Sequence, residues 1–375
     1  AGCNKDDYYS GISYLQPGNQ PTDEVEWRDL ISQLYSLLRN THVIIPYTSS
    51  STDVWDALGV LDADPTNASN VILTYSGISM AWSLNGKSAG WNREHVWPRS
   101  YGLFDNGPDY SDLHNLRPAD WGVNSARSNL YYDDCYPSVD PACTQPAHAE
   151  AASDTAKNSY KFMPSEGEKG DLARVAFYDA LRYNGPPEDK TENLTLSDCA
   201  CVSKQNFGNL TTLLRWHQMD AVTVAEQDRN NKTCHLYQKN RNPFVDFPWL
   251  SAMFTVPYVL ESVRSLCPSD YVDPDSTSCM TVDPLEPTLS PTISAAPTPD
   301  PFACGLTAGD VALVSVNTDD PDSISVVALR SIPIGVELYF TDRPWNGNEF
   351  PSSGEGVLSF LTTAVIPAGS TWYYP

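Results

Sequence analysis

The segments WNREHVWPRS, residues 91–100, and SDLHNLRPADWGVNSARSN, residues 111–129, together indicate the fold of this chain. The first places a carboxylate beside an imidazole at Glu94 and His95. A solvated pair is the ordinary interpretation of such a dipeptide. Because consecutive strand residues point to opposite faces, the two side chains can share a site only if the strand ends at His95 and the backbone turns there, which Pro98 favours.

The second segment predicts a strand followed by a helix. DLHNL alternates as a half-buried strand does, Pro118 is expected to end that strand, and Asp120 is a suitable cap for the helix that follows. On this helix Asn124 and Arg127 are three residues apart and share one face. The two segments therefore predict a first strand ending in a histidine, a second strand, and a helix that carries an asparagine.

Hydrophobic periodicity predicts further helices on both sides of these segments. Residues 170–185 have an aspartate near their start and a glycine just beyond their last apolar residue, as helices do. Residues 22–39 begin with a Thr/Asp start and then repeat apolar side chains at nearly helical spacing: Val25, Leu30, Leu34, Leu37 and Leu38.

Three ordered motifs, REHVWP, DLHNLRP and VNSARSN, resemble the endonuclease I family of secreted or periplasmic bacterial nucleases. The resemblance continues over about residues 8–255, through stretches such as DVWDALGVLDADPTNASNVILTYSG and NRNPFVDFPW in the family's order. It implies an α+β fold, in which a mixed α/β nuclease domain contains a ββα-metal, or His-Me, finger at residues 91–130.

The resemblance also implies roles for the residues that match the motifs. His95 is expected to be the general base, while Glu94 and Asn124 are expected to hold a single divalent cation; the alternative for Asn124 is an amide on the helix surface. Arg99 is a candidate catalytic clamp on the charge of the transition state, although the family's loop at this point is longer and variable.

Three more residues near the motifs each have two interpretations. Arg117 and Arg127 either bind substrate phosphate or pair with local carboxylates such as Asp112 and Asp120, and we favour phosphate for Arg127. His114 is either a structural histidine that supports the hairpin or a residue that contacts and orients the groups of the site.

These residue types suit phosphodiester hydrolysis. A neutral imidazole, with a pKa near ~6.5, can take a proton from water at neutral pH, which is usually worth ~10²–10⁴-fold in rate. A hard cation prefers oxygen ligands, so one carboxylate and one amide suit Mg²⁺, with Mn²⁺ or Ca²⁺ as alternatives. Together with the roles that the resemblance implies, this chemistry predicts sequence-non-specific, one-metal cleavage of DNA, with RNA as a further candidate substrate, leaving 5′-phosphate and 3′-hydroxyl ends.

Composition limits where and how such a protein acts. A formal charge of −24 excludes nucleic-acid binding by a broad basic face. No stretch approaches the ~20 apolar residues of a membrane span. Nine cysteines without paired metal-ligand spacing favour disulfides. Four glycosylation motifs fit a secreted glycoprotein: Asn67, Asn193, Asn209 and Asn231. A periplasmic or surface-attached protein is the alternative.

The C-terminal part of the chain has a different texture. We expect residues 1–279 to form the nuclease domain and the Pro/Thr/Ser-rich residues 280–302 to be a linker. Residues 303–375 contain short β-rich runs that predict a β-sandwich-like module. This module is similar to the lamin-tail-like domains of extracellular nucleases. Because the sequence stops within or near a strand, we expect the module to be truncated. The alternative function is an inert nuclease-like domain in a surface binding or adhesion protein that uses this module.

Overall fold

The computed structural model describes residues 2–103, 107–184, 193–199 and 205–256, together with the backbone of five strands between residues 311 and 374. The chain divides into two compact units, Ala1–Pro287 and Thr288–Pro375. The predicted linker at residues 280–302 lies outside the described residues. Within the described part of the chain, none of the helices has the length and apolar character that a membrane crossing requires.

The first unit mixes helices with short strands, as the predicted α+β fold requires. Its α-helices are α1 Lys5–Tyr8, α2 Glu24–Thr41, α3 Val54–Leu61, α4 Trp121–Arg127, α5 Lys169–Arg182, α6 Leu210–Met219, α7 Val224–Lys232 and α8 Pro243–Asp246. Its strands are β1 Ala63–Asp64, β2 Asn67–Ile72, β3 Ser79–Ala81, β4 Trp91–His95, β5 Leu116–Asp120, β6 Tyr131–Tyr132, β7 Ala156–Lys157, β8 Lys161–Met163, β9 Thr195–Leu196 and β10 Asn206–Phe207.

Helix α2 confirms the prediction from periodicity. Asp23 caps its first turn by accepting a hydrogen bond from the amide of Glu26, and the apolar stripe faces the core. Val25 is the exception, because it lies in the first turn and is 73% exposed. The helix packs against α5, whose residues are buried almost throughout, so α5 forms the centre of the unit.

The two central segments form an antiparallel hairpin followed by a helix. In β4 and β5, Trp91 lies opposite Asp120 and His95 lies opposite Leu116. The side chain of Asp120 accepts hydrogen bonds from the amides of Gly122 and Val123, which confirms the predicted cap of α4.

The second strand begins later than its sequence predicts. DLHN forms a turn, in which the Asp112 carbonyl accepts from the amides of Asn115 and Leu116, and β5 runs through Pro118 instead of ending there. Alternate amides in a two-stranded ladder point away from the partner, so a residue without an N–H group is accommodated. The carbonyl of Pro118 in turn accepts from the amide of Thr74 at 2.8 Å.

Disulfides tie the first unit together, as the cysteine content predicts. Cys3 is bonded to Cys234 and so attaches the N-terminal segment to a region 231 residues away. Cys135 and Cys143 close a short loop. A crosslink over so long a loop restricts the unfolded chain strongly, which stabilises the folded state.

The five described strands of the second unit form two antiparallel sheets. A three-stranded sheet has the order β11, β12, β15, and a two-stranded sheet pairs β13 with β14. The β-rich runs predicted for this region coincide with these strands; its likeness to lamin-tail domains stays a prediction. The strand bounds are β11 Val311–Asn317, β12 Ser323–Ala328, β13 Glu337–Thr341, β14 Val357–Leu361 and β15 Thr371–Tyr374.

Candidate active site

Strand β4 delivers Glu94 and His95 to opposite sides of the hairpin. The strand ends at His95, and the backbone bends at the next two residues, as predicted. However, His95 still pairs with Leu116 in the ladder, so the regular alternation of a strand separates the two side chains. The bend comes after His95 and does not bring Glu94 and His95 to one side, which counts against the predicted joint site. Glu94 faces the side covered by α4, and His95 faces the side that carries Tyr47.

Glu94 lies in a buried polar cluster on the α4 side of the hairpin. It is 2% exposed, its Oε1 accepts from the Tyr75 hydroxyl at 2.8 Å, and the same oxygen lies 3.1 Å from Nη1 of Arg127. The hydroxyl of Tyr75 also hydrogen-bonds that of Tyr132. Burial raises the pKa of Glu94, and the positive charge of Arg127 opposes that rise. The carboxylate is thus held in one orientation by two donors.

Asn124 lies on the same side of the hairpin. Its Nδ2 donates to Oδ1 of Asn92 at 2.8 Å, and Asn92 is two residues before Glu94, on the same face of β4. The amide nitrogen of Asn124 is therefore engaged, which leaves its Oδ1 as a possible ligand. Among the described residues, both contacts of the Glu94 carboxylate use Oε1, so Oε2 is the oxygen left for a cation. One carboxylate oxygen and one amide oxygen fit a hard cation such as Mg²⁺.

His95 is held by the loop before β5. Its Nε2 lies 3.0 Å from the carbonyl oxygen of Tyr110, which can only accept, so Nε2 carries the proton and Nδ1 keeps a lone pair. The ring stacks beside Tyr47, with the centroids 5.8 Å apart. Burial, assisted by the charges of Arg99 and Arg93, lowers the pKa of His95 to about 4. The imidazole is thus neutral at pH 7, as a general base must be.

A stack of cationic and aromatic groups lies beside this histidine. The guanidinium of Arg93 sits between the rings of Tyr47 and Trp55, 3.4 Å and 4.0 Å from their centroids. The ring centroids of Tyr47 and Tyr110 are 4.3 Å apart, and the guanidinium of Arg99 lies 4.8 Å from the centroid of Tyr110. Arg99 is exposed and close enough to lower the pKa of the histidine, and its role as a clamp on the transition state stays a prediction.

Arg127 has a buried position, contrary to the favoured expectation of a phosphate contact. It is 1% exposed, and besides Glu94 it donates to the carbonyl oxygens of His95 at 3.1 Å and Val96 at 2.6 Å. A guanidinium enclosed in this way cannot reach substrate without leaving a buried carboxylate unpaired. Arg127 instead fixes the end of β4 and the carboxylate of Glu94.

Arg117 is hydrogen-bonded to the backbone of the turn that precedes it. Its Nη1 donates to the carbonyl oxygens of Leu113, His114 and Leu116. Burial and the neighbouring charge of Arg229 lower its pKa to about 10, so it stays cationic at pH 7. These contacts give Arg117 a structural role in the turn, and substrate binding by this residue stays a prediction.

His114 is buried, which agrees with the first of its two predicted alternatives, a structural histidine. It is 3% exposed, its Nε2 lies 3.3 Å from the carbonyl oxygen of Asn240, and its ring packs against Tyr178. The neighbouring Asp112 accepts hydrogen bonds from the hydroxyls of Tyr178 and Tyr183. This buried network fixes the turn that leads into β5.

The environment of His114 predicts a dependence of stability on pH. Burial lowers its pKa to about 3, against ~6.5 in an unfolded chain. The unfolded state therefore binds the proton first, so this contribution to stability is complete above pH ~6.5 and falls by up to about 1.4 kcal/mol per pH unit toward pH 3. We expect His114→Gln, which can still donate to Asn240, to reduce that slope when urea unfolding is followed from pH 7.5 to 5. Parallel pH profiles for both proteins would contradict this assignment.

Several residues that shape the site carry no recognisable sequence signal. Tyr75 and Tyr132 hold Glu94, Asn92 holds Asn124, and Tyr110 holds His95. In these hydrogen bonds the two bonded residues are 15 to 57 positions apart in the sequence. The alternation of β4 offers one clue, because it places Asn92 on the face of Glu94.

A hairpin followed by a helix, with a carboxylate and an amide on one side and an imidazole on the other, carries the residue types expected of a nuclease. A family model described as Endonuclease I matches residues 28–249. The match covers more than half of the 375 residues, and the chain belongs to the Endonuclease I family.

Two relatives extend this assignment. The chain is 40% identical to the extracellular ribonuclease of Bacillus subtilis (strain 168) over 214 residues, which cover 55% of this chain and 67% of that protein. It is 42% identical to the extracellular ribonuclease of Bacillus amyloliquefaciens over 206 residues, 53% of this chain and 66% of that protein. The matched region thus spans about two thirds of the length of each relative.

Proposed function

We propose that the chain is a secreted, divalent-cation-dependent endonuclease that hydrolyses DNA and RNA without sequence specificity. Family membership supports nuclease activity, and the names of the two relatives support RNA as a substrate and an extracellular location. The disulfides suit an oxidising compartment. Periplasmic or surface attachment is the alternative location.

The observation that carries the proposal is that β4 and α4 supply two available ligand oxygens and one neutral imidazole. On one face, Glu94 Oε2 and Asn124 Oδ1 are the oxygens left available by their hydrogen bonds. At the end of the same strand, His95 is neutral and has a lone pair on Nδ1. The ligands and the base thus come from one hairpin and one helix but lie on opposite sides of that hairpin, so their joint action on one phosphate is itself part of the proposal.

In the proposed mechanism, each residue has one task. A bound Mg²⁺ would supply stabilisation of the charge on the phosphate and on the leaving 3′ oxygen, with Glu94 and Asn124 as its protein ligands. His95 accepts a proton from the attacking water at Nδ1, while the Tyr110 carbonyl fixes the ring through Nε2. Arg99, exposed beside His95, attracts the phosphate. The products then carry 5′-phosphate and 3′-hydroxyl ends.

Removal of divalent ions tests the proposal directly. We expect the purified chain to nick supercoiled plasmid and to degrade single-stranded DNA and RNA in Mg²⁺, and to lose these activities in excess EDTA. Readdition of Mg²⁺ should restore them. Cleavage that persists in EDTA would contradict the metal mechanism, and no cleavage by the wild-type protein in Mg²⁺, Mn²⁺ or Ca²⁺ would favour the inert binding protein.

A further inference from the structure

Trp121, the first residue of α4, presents a partly exposed indole ring that has no aromatic, cationic or hydrogen-bonding partner among the described residues. It is 37% exposed. Of the tryptophans that the structure describes between residues 2 and 256, it is the one whose side chain has neither an aromatic or cationic ring partner nor an indole hydrogen bond. The others have such partners: Trp27 with Trp249, Trp55 with Trp91, Trp97 with Phe207, Trp216 with Tyr132, and Trp82 with the Trp55 carbonyl.

Trp82 shows what a structural tryptophan of equal exposure looks like. It is 38% exposed, yet its Nε1 donates to the carbonyl of Trp55 at 3.2 Å. Its ring also covers Gly59, where an added Cβ would lie 2.5 Å from Cδ1. By contrast, only the backbone of Trp121 is engaged: its amide donates to the carbonyl of Gly90, and its carbonyl accepts from the hydroxyl of Ser125.

The position of Trp121 places its ring near Asn124, at the end of the hairpin that begins with Trp91 and lies opposite His95. It is three residues before Asn124, so both side chains share one face of α4 about one turn, or ~4.5 Å of rise, apart. A nucleotide adjacent to the scissile phosphate lies within that range. Lys87 is exposed in the preceding turn, where its carbonyl accepts from the amide of Gly90, the residue that also binds the Trp121 backbone.

The charge of the protein indicates why a stacking contact is useful here. A chain of formal charge −24 cannot hold a polyanion by broad neutralisation of phosphates. Stacking of a base on an aromatic ring does not depend on net charge and accepts any base. In a duplex both faces of each base are already stacked, so an exposed indole gains a partner only from an unpaired nucleotide.

We propose that Trp121 is a stacking subsite for an unpaired nucleobase next to the scissile bond, with Lys87 beside the phosphate of that nucleotide. The subsite gives the enzyme a preference for single-stranded over duplex nucleic acid, irrespective of the sugar. This inference rests on the proposed nuclease function for its location, but the binding itself can be measured without cleavage.

The test measures binding in EDTA, where no turnover is expected. A fluorescein-labelled 12-nucleotide oligothymidylate and the same strand in a duplex are titrated with the full chain, and anisotropy is recorded. We expect Trp121→Ala to weaken single-strand binding about tenfold and duplex binding less than about twofold. Trp121→Phe should retain most of the affinity, whereas Trp121→Leu, apolar but without a π face, should behave as the alanine variant does.

Two controls complete the design. Trp82→Ala removes an equally exposed indole and should leave the ratio of single-strand to duplex affinity unchanged. Lys87→Gln should make the negative slope of log affinity against log salt less steep by about 0.7, the value for one phosphate of a single strand. Equal losses for single strand and duplex, or wild-type affinity in Trp121→Leu, would overturn the subsite.

The two proposals fail in different ways. If the wild-type protein cleaves nucleic acid in Mg²⁺ but Trp121→Ala binds single strands normally, the subsite is wrong and the nuclease function stands. If Trp121→Ala loses single-strand affinity but the wild-type protein cleaves nothing, the subsite stands as a binding site and the nuclease function is wrong.

Discussion

Replacement of His95 by alanine is expected to reduce the rate of phosphodiester cleavage by about 10²–10⁴-fold, the usual worth of a positioned general base. The neutral ring with a free Nδ1 is the proton acceptor that the site offers, and its Nε2 is already committed to the Tyr110 carbonyl. The measurement is the single-turnover rate on a labelled DNA strand at saturating Mg²⁺.

Two variants distinguish a lost base from a disturbed fold. His95→Gln keeps a donor for the Tyr110 carbonyl but lacks the proton-accepting nitrogen, so it should be as inactive as His95→Ala while melting closer to the wild-type temperature. Added imidazole should restore part of the rate of the alanine variant, because it supplies the missing acceptor. His235→Ala, at an exposed histidine, is the matched control and should cleave normally. A His95→Gln protein with near wild-type activity would rule out the assigned role.

The second large effect is expected at Glu94, where activity and stability can be separated. Glu94→Gln keeps an oxygen that accepts from Tyr75 and Arg127 but removes the charge that attracts a cation. We expect it to lose at least about 10²-fold in cleavage rate, since metal-derived stabilisation amounts to several kcal/mol, and to bind Mn²⁺ weakly in calorimetric titration. Its melting temperature should fall less than that of Glu94→Ala, because the amide oxygen still accepts hydrogen bonds from Tyr75 and Arg127 although the counter-charge of Arg127 is lost.

Glu94→Ala should additionally unfold more easily. It leaves the buried guanidinium of Arg127 without its anionic partner, a change that typically costs about 3–5 kcal/mol in the free energy of unfolding. Glu24→Gln, at an exposed carboxylate paired with Arg28, is the matched control and should alter neither property. Normal Mn²⁺ binding by Glu94→Gln would exclude Glu94 as a ligand.

The substrate of the relatives bears on how these variants are assayed. Both are described as extracellular ribonucleases, so RNA belongs beside DNA in every assay. A single active site predicts that His95→Ala and Glu94→Gln lose both activities in the same proportion. Selective loss of one activity would indicate a second site in the chain.

The sequence by itself determined the local elements of this protein. The cap at Asp120, the end of β4 at His95 and the helix after Asp23 depend on residues within four positions of one another, so spacing alone reveals them. The ordered motifs also identified the family, since they preserve the residue types that the chemistry needs.

Only the tertiary structure decided which polar groups are buried together. Arg127 was expected to meet phosphate and instead lies against Glu94, and the turn at DLHN replaced a predicted strand because Asp112 is held by Tyr178 and Tyr183. Such groups become partners when packing removes them from water, and an unpaired buried charge is too costly to persist. That constraint acts between elements far apart in the chain, and no local spacing records it.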